Sequence, residues 1–177
     1  GLGDVYKRQL YNHIGSGDIR LRWWDPTDKE SPYISKKFAF SNVQSWLGDY
    51  IYMRVEEFYF DAAEAALRLG DKDKAVRYLN AVMQKRDATF DASNLDGTML
   101  GSLTTSWTGS LLENILVQKR IELWGEFGRL VDVRRLGQGI DRKTSDGFAE
   151  ECISTMSGNG INLTNPCLLY TSDAADE

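Results

Sequence analysis

Charged side chains follow a regular spacing in the second half of the chain. Glu126, Arg129 and Asp132 are separated by three-residue steps, so opposite charges meet if the backbone there is helical. Arg120 lies on the apolar stripe of the same stretch, where a guanidinium must be paired or must reach water along its stem. This pattern predicts ion pairs that fix the registry of packed helices, and Glu64 of an earlier helix is the expected partner of Arg120. The residues assigned to structural ion pairs are Glu64, Arg120, Glu126, Arg129 and Asp132.

No set of residues predicts an enzyme. His13 is the only histidine and has no Cys or Ser partner in context, so we expect an exposed loop imidazole. The carboxylate pairs Glu56–Glu57 and Glu150–Glu151 are adjacent in sequence, and adjacent residues on a helix do not face each other. Glycine-rich phosphate loops and metal-ligand spacings are absent from the sequence. The sequence therefore predicts a protein without catalytic activity, metal or cofactor.

Three helices are predicted to position these charges. The first spans 50–69, with Asp49 as its cap and Gly70 at its end, and the second spans 72–86. Their short connection makes them antiparallel neighbours, a pair that looks like a tetratricopeptide-type unit. The third begins after Ser110, a capping-box residue, and Gly128 is expected to end it before a short helix over 129–136. The predicted fold class is mainly α, with this helical pair, further helices and long loops.

Composition is that of a globular domain with a core. The chain has 177 residues, a net charge of −5 and 42% hydrophobic residues, a balance that argues against nucleic acid as a partner. Both ends resemble translated adapter sequence, so 1–9 and 167–177 are expected to be non-native and 10–166 to be the folded unit. That assignment removes Cys167 and leaves Cys152 as a lone thiol, so no disulfide is expected.

Two segments resemble the SusD/RagB family. The first runs from Lys119 to Arg135 and reads KRIELWGEFGRLVDVRR, although Gln118 stands where the family usually has Glu and Phe127 is an addition. Its matching residues are Arg120, Glu122, Leu123, Glu126, Arg129, Asp132 and Arg135. The second covers the helical pair, with Phe60 in place of the usual Leu. Its matching residues are Arg54, Glu57, Tyr59, Ala63, Glu64, Ala65 and Asn80.

The resemblance implies a C-terminal portion of a cell-surface nutrient-binding lipoprotein of Bacteroidota-type bacteria. Such a protein is expected to bind oligosaccharide without catalysis and to deliver it to a TonB-dependent (SusC-like) outer-membrane transporter. Its lipid anchor is expected on an N-terminal cysteine that is missing here. The competing interpretation is a tetratricopeptide-type scaffold that binds a protein partner and no glycan.

Ligand residues vary within the family, so the motifs carry no binding site. A pyranose stacks its apolar face on a flat aromatic ring while polar side chains bind its hydroxyls. Trp23, Trp24, Trp46 and Trp107 lie in predicted loops or near element ends, and these are the candidate ligand-binding residues. Trp124 lies inside the helix motif and is expected in the core. Asp18 and Arg20 are expected to anchor a loop onto the helices.

Overall fold

The fold is mainly helical, as predicted. A computed structural model describes residues 8, 10–29, 33–38, 48, 51–101, 107–126, 129–137, 156–157 and 160–161, without the side chains of 129, 130 and the last four. The helices are a 3₁₀ helix at Ile19–Trp23, α1 at Val55–Arg68, α2 at Lys72–Met83, α3 at Leu111–Glu122 and α4 at Arg129–Arg135. Strands β1 (Trp24–Asp25) and β2 (Ile34–Ser35) pair antiparallel, and so do β3 (Met156–Ser157) and β4 (Gly160–Ile161).

Helices α1 and α2 form a hairpin. Gly70 adopts φ +85° at the connection, a conformation that costs glycine little, and the Asp71 side chain accepts from Lys74 N at 3.0 Å to cap α2. Helix α1 begins at Val55, later than the predicted Tyr50. Arg54, the residue before α1, has an extended backbone, so the helix begins only after it. Its side chain is bound by Glu122 of α3 and by Glu126 in the turn that follows α3.

Helix α3 is the centre of the core. Ten of its twelve residues are buried, and only Asn114 and Arg120 are partly exposed. Its N-terminus follows the prediction, since Ser110 Oγ accepts from Glu113 N at 3.1 Å. Helix α1 packs against both α2 and α3. The largest fully buried apolar residues of the core are Phe60, Leu10, Leu79, Met83, Leu111, Leu112, Ile115 and Ile121.

The predicted end of α3 at Gly128 is wrong, because the helix stops at Glu122. Gly125 adopts φ +76° in the turn that follows, and a Cβ built there would lie 2.6 Å from a ring carbon of Phe38. Lys37 Nζ donates to the carbonyls of Glu122 and Trp124 at 2.7 and 3.0 Å, a cation at a helix C-terminus. The segment before α1 therefore fixes the end of α3.

Candidate functional site

Three arginines surround the buried carboxylate of Glu122. Arg86 donates from Nε and Nη2 at 3.1 and 2.8 Å, Arg54 binds Oε1, and Arg20 approaches Oε2 at 3.4 Å. The side chain of Glu122 has no exposed surface. Multiple charge-assisted hydrogen bonds make burial of this carboxylate tolerable, since an unpaired buried charge costs several kcal/mol.

Further charges extend this group, which we call the charged cluster. Lys37 and Arg54 both bind Glu126, the latter at 2.9 Å, and Glu56 accepts from Arg54 and Arg86 at 3.1 and 2.7 Å. The hydrogen bond from Arg54 is the main cause of a lowered pKa at Glu56, whereas burial lowers the pKa of Lys37. The cluster consists of Asp18, Glu56, Glu122, Glu126, Arg20, Lys37, Arg54 and Arg86, four charges of each sign.

Arg20 anchors its loop, as expected from the sequence. Its guanidinium is fully buried and donates from Nε and Nη2 to the Asp18 carboxylate at 3.0 and 2.6 Å. It also binds Gln118 Oε1. Gln118 is neutral where the family usually has Glu. The charged cluster therefore has equal numbers of positive and negative side chains, with no further carboxylate beside Arg20 at this position.

A second group of ion pairs lies between α1 and α4. Glu64 takes a bidentate pair from Arg135, both distances 2.6 Å, and a bond from Arg68 Nε at 2.8 Å. Lys119 spans Asp61 at 2.7 Å and Asp132 at 3.4 Å. These residues line an open cleft of about 490 Å³ with Glu57, Ala65 and Val131. Each of Glu64, Arg68, Lys119, Asp132 and Arg135 is thus bound to an opposite charge, an arrangement that joins α1, α3 and α4.

The predicted bond between Glu64 and Arg120 is not the one formed. Among the described side chains, Glu64 is bound by Arg135 and Arg68, because the turn after α3 folds α4 back against α1. Arg120 is half-buried, and its charge contributes to the lowered pKa of His13. The side chain of Arg129 lies outside the described residues.

The four candidate tryptophans have different environments. Trp24 is 3% exposed and packs edge-on against Trp124, so it belongs to the core and offers no stacking surface. Trp23 is partly buried, with Lys37 Nζ 5.0 Å from its ring centroid. Trp46 lies outside the described residues. Only Trp107 and Trp23 therefore remain as described candidates for stacking on a sugar.

Trp107 lies at a small recess of about 70 Å³. The His13 ring packs against it with centroids 3.7 Å apart, and Asn114 and Gln118 of α3 line the same recess. His13 is thus half-buried, with its ring tilted by 51° against the indole, in contrast to the exposed imidazole that we expected. Sequence reasoning missed this pairing because no local pattern links residues so distant along the chain. An indole beside amide groups has the chemistry that binds a sugar edge.

Buried Glu113 holds the loop that carries Trp107. Its carboxylate accepts from Gly101 N at 2.8 Å, from Gly109 N at 2.7 Å, and from both N and Oγ1 of Thr108. A capping box would direct this side chain to the Ser110 amide, but it reaches the amides before it instead. One α3 side chain therefore binds the backbone at Gly101 and at the two residues that follow Trp107.

Titration of His13 provides a direct test of the recess. Burial is the main cause that lowers its pKa below the ordinary 6.5, and nearby Glu113 opposes the shift. The unfolded chain therefore binds a proton more readily, so the free energy of unfolding should fall as pH drops through and below 6.5. NMR of this single histidine should show a pKa below 6.5 in the folded chain and a return toward that value in urea. A folded-state pKa at or above 6.5 would contradict the half-buried imidazole packed against Trp107.

The described residues hold no group of His, Cys, Asp and Glu suited to a metal ion. Among the described residues, no helix has the length and hydrophobicity needed to span a membrane. What the structure presents is a set of helices joined by internally paired charges, with an indole and amides at a small recess beside them. The fold defines a mainly helical protein with a paired-charge interior.

The chain belongs to the SusD family. The family model matches residues 27–163, most of the chain and all within the range 10–166 expected to fold. No curated protein matches this chain.

Two solved structures from Bacteroides vulgatus resemble the chain. One, described as a SusD-like carbohydrate binding protein, is 29% identical with a TM-score of 0.56, over 90% of this chain and 32% of its own. The other, described as a sugar binding protein, is 28% identical with a TM-score of 0.54, over 77% and 27%. This chain thus spans about a third of the length of these relatives.

Proposed function

We propose that this chain is part of a non-catalytic, cell-surface protein that binds nutrient oligosaccharide. The observation that carries the proposal is the family match over residues 27–163, together with two solved relatives described as sugar or carbohydrate binding. SusD-like proteins are generally non-catalytic, and the family implies a lipoprotein of the outer membrane. We extend the proposal to delivery of the ligand to a TonB-dependent outer-membrane transporter.

The recess at Trp107 is the part of this chain that we assign to ligand contact. Its volume of about 70 Å³ is well below the roughly 300 Å³ of a pocket that encloses a ligand. It therefore suits one edge of a sugar, and most of the ligand would be bound elsewhere. Asn114 and Gln118 line the same recess as the indole. Asn114 Nδ2 is bound to the carbonyls of Gly109 and Ser110, and Gln118 Oε1 is bound to Arg20, so a sugar hydroxyl would meet the other polar atom of each amide. Trp23 is the second candidate.

Affinity electrophoresis in gels that contain soluble polysaccharides tests this proposal. The chain should be retarded by at least one glycan. Trp107→Ala should raise the dissociation constant derived from that retardation about two- to tenfold, because a contact with an aromatic ring contributes on the order of 0.5–1.5 kcal/mol beyond its area burial. Trp107→Phe is the matched control, since it keeps a stacking ring and should keep most of the binding. Trp23→Ala identifies which tryptophan acts.

Two results would count against the proposal. Migration unchanged in every glycan tested would remove oligosaccharide binding by this chain. Specific capture of a protein partner in the absence of any glycan retention would instead favour the tetratricopeptide-type scaffold. Retention that survives both Trp107→Ala and Trp23→Ala would keep the function and displace the site.

A further inference from the structure

Helix α1 is apolar on two opposite sides. One side contributes Phe60, Ala63 and Leu67 to the core. The other side carries Phe58, Ala62, Ala65 and Leu69 in 4-3-4 spacing, the interval at which residues line one seam of a helix. Phe58 is 57% exposed and Leu69 is 87% exposed. We call these four residues the outer seam.

Exposed hydrophobic side chains are concentrated in the part of the sequence that contains the outer seam. Among the described residues, twelve large hydrophobic side chains are exposed, and seven of them lie between 51 and 69. Monomeric proteins rarely expose contiguous apolar patches above about 300–600 Å². Four of the seven, Val55, Phe58, Tyr59 and Leu69, belong to α1 or to the residue that follows it. A stable dimer would bury them with the residues around them, since each partner in a standard interface buries about 800 Å².

The seam has unlike flanks. One flank carries the charges Glu57, Asp61 and Arg68, and the other carries the apolar Val55 and Tyr59. The Arg68 side chain donates from Nε to Glu64 and is 48% exposed. The Asp61 side chain is bound by Lys119 and is 53% exposed. Both acids therefore lie toward one end of the flank and the base lies at the other. This polarity determines how a second helix can pair with the seam.

We propose that the outer seam binds a second copy of this chain as an antiparallel helix pair. A twofold axis between Ala62 and Ala65 places Phe58 against Leu69 of the second copy and sets alanine against alanine at the centre. The methyl side chains allow close approach of the two helices there, and the bulky residues fill both ends.

Charge selects the antiparallel direction. In an antiparallel pair each flank faces the same flank of the other helix, so Arg68 lies between Glu57 and Asp61 of the second copy, and the reverse also holds. A parallel pair would place this charged flank against Val55 and Tyr59, where the charges lose water and gain no partner. The seam is thus self-complementary in shape and in charge.

Light scattering coupled to size exclusion, with sedimentation equilibrium, tests this interface on the complete chain. Between about 1 and 100 μM the mass should rise toward twice the 20.0 kDa of one chain. Phe58→Glu should raise the dimer dissociation constant at least about tenfold, because the twofold axis places a charge at both ends of the apolar seam. Far-UV circular dichroism should be unchanged, because Phe58 is not part of the core.

Charge reversal separates docking from a general loss of fold. Arg68→Glu alone, or Glu57→Arg with Asp61→Arg, should weaken the dimer, and the three changes together should restore it. Arg77→Glu reverses an exposed charge on α2 and is the matched control that should leave the mass unchanged. A monomer at every concentration would overturn the proposal and leave the seam to a helix of a longer family protein. A dimer insensitive to Phe58→Glu and to the charge reversals would overturn it as well.

Discussion

Glu122→Gln is expected to lower the free energy of unfolding by about 3–5 kcal/mol, the usual cost of removing one partner from a buried ion pair. The substitution keeps the shape of the side chain. It removes the negative charge that, among the described side chains, Arg20, Arg54 and Arg86 all contact. The glutamine would turn one NH₂ group toward guanidinium groups that can only donate. Three arginines would then share Asp18, Glu56 and Glu126.

Urea unfolding followed by tryptophan fluorescence measures this loss, since Trp24 and Trp124 lie in the fold near α3. Glu56→Gln is the matched control. Glu56 contacts two of the same arginines, but its side chain is 27% exposed, so its loss should cost no more than about 1 kcal/mol. Equal effects of the two variants would mean that Glu122 is not the centre of the charged cluster.

The type of interaction could be predicted for the charged motif, but the partners could not. Helical spacing gives the direction of a side chain around its own helix and says nothing of which helix lies opposite. Glu64 was expected to bind Arg120 of α3, and it binds Arg135 because α4 folds back after a turn. That turn depends on Lys37 and Phe38, which are remote in sequence and whose contacts leave no local pattern.

The aromatic residues show the same limit. Trp23 and Trp24 are adjacent, and composition alone cannot tell which one is buried. The extended backbone of β1 turns Trp24 into the core, whereas Trp23 packs beneath a lysine. For the recess, the capping-box spacing of Ser110 and Glu113 located the start of α3 correctly. It could not show that Glu113 would bind the preceding loop, because those contacts depend on how the loop closes.

Glu113→Gln should have the second largest effect, a loss of about 2–4 kcal/mol in the free energy of unfolding. The buried carboxylate accepts three backbone amides and one hydroxyl, from Gly101, Thr108 and Gly109. A glutamine presents one oxygen and one NH₂ group to these donors, so at least one part-buried amide loses its acceptor, at about 1–3 kcal/mol. The helix N-terminus also loses a negative charge that it favours.

Hydrogen exchange at the Thr108 and Gly109 amides distinguishes this mechanism from general destabilisation. Both amides should exchange at least about tenfold faster in Glu113→Gln, beyond the change at core amides of α3, because the loop opens before the helix does. Asn114→Ala is the matched control on the same turn, since its Nδ2 donates to the carbonyls of Gly109 and Ser110 and its loss leaves those amides bound. If exchange rises equally at all amides, Glu113 supports the whole core and does not act through the loop. If the exchange rate rises only at the Thr108 and Gly109 amides, the position of Trp107 depends on the Glu113 carboxylate. Glycan retention should then fall in Glu113→Gln while the helices remain folded.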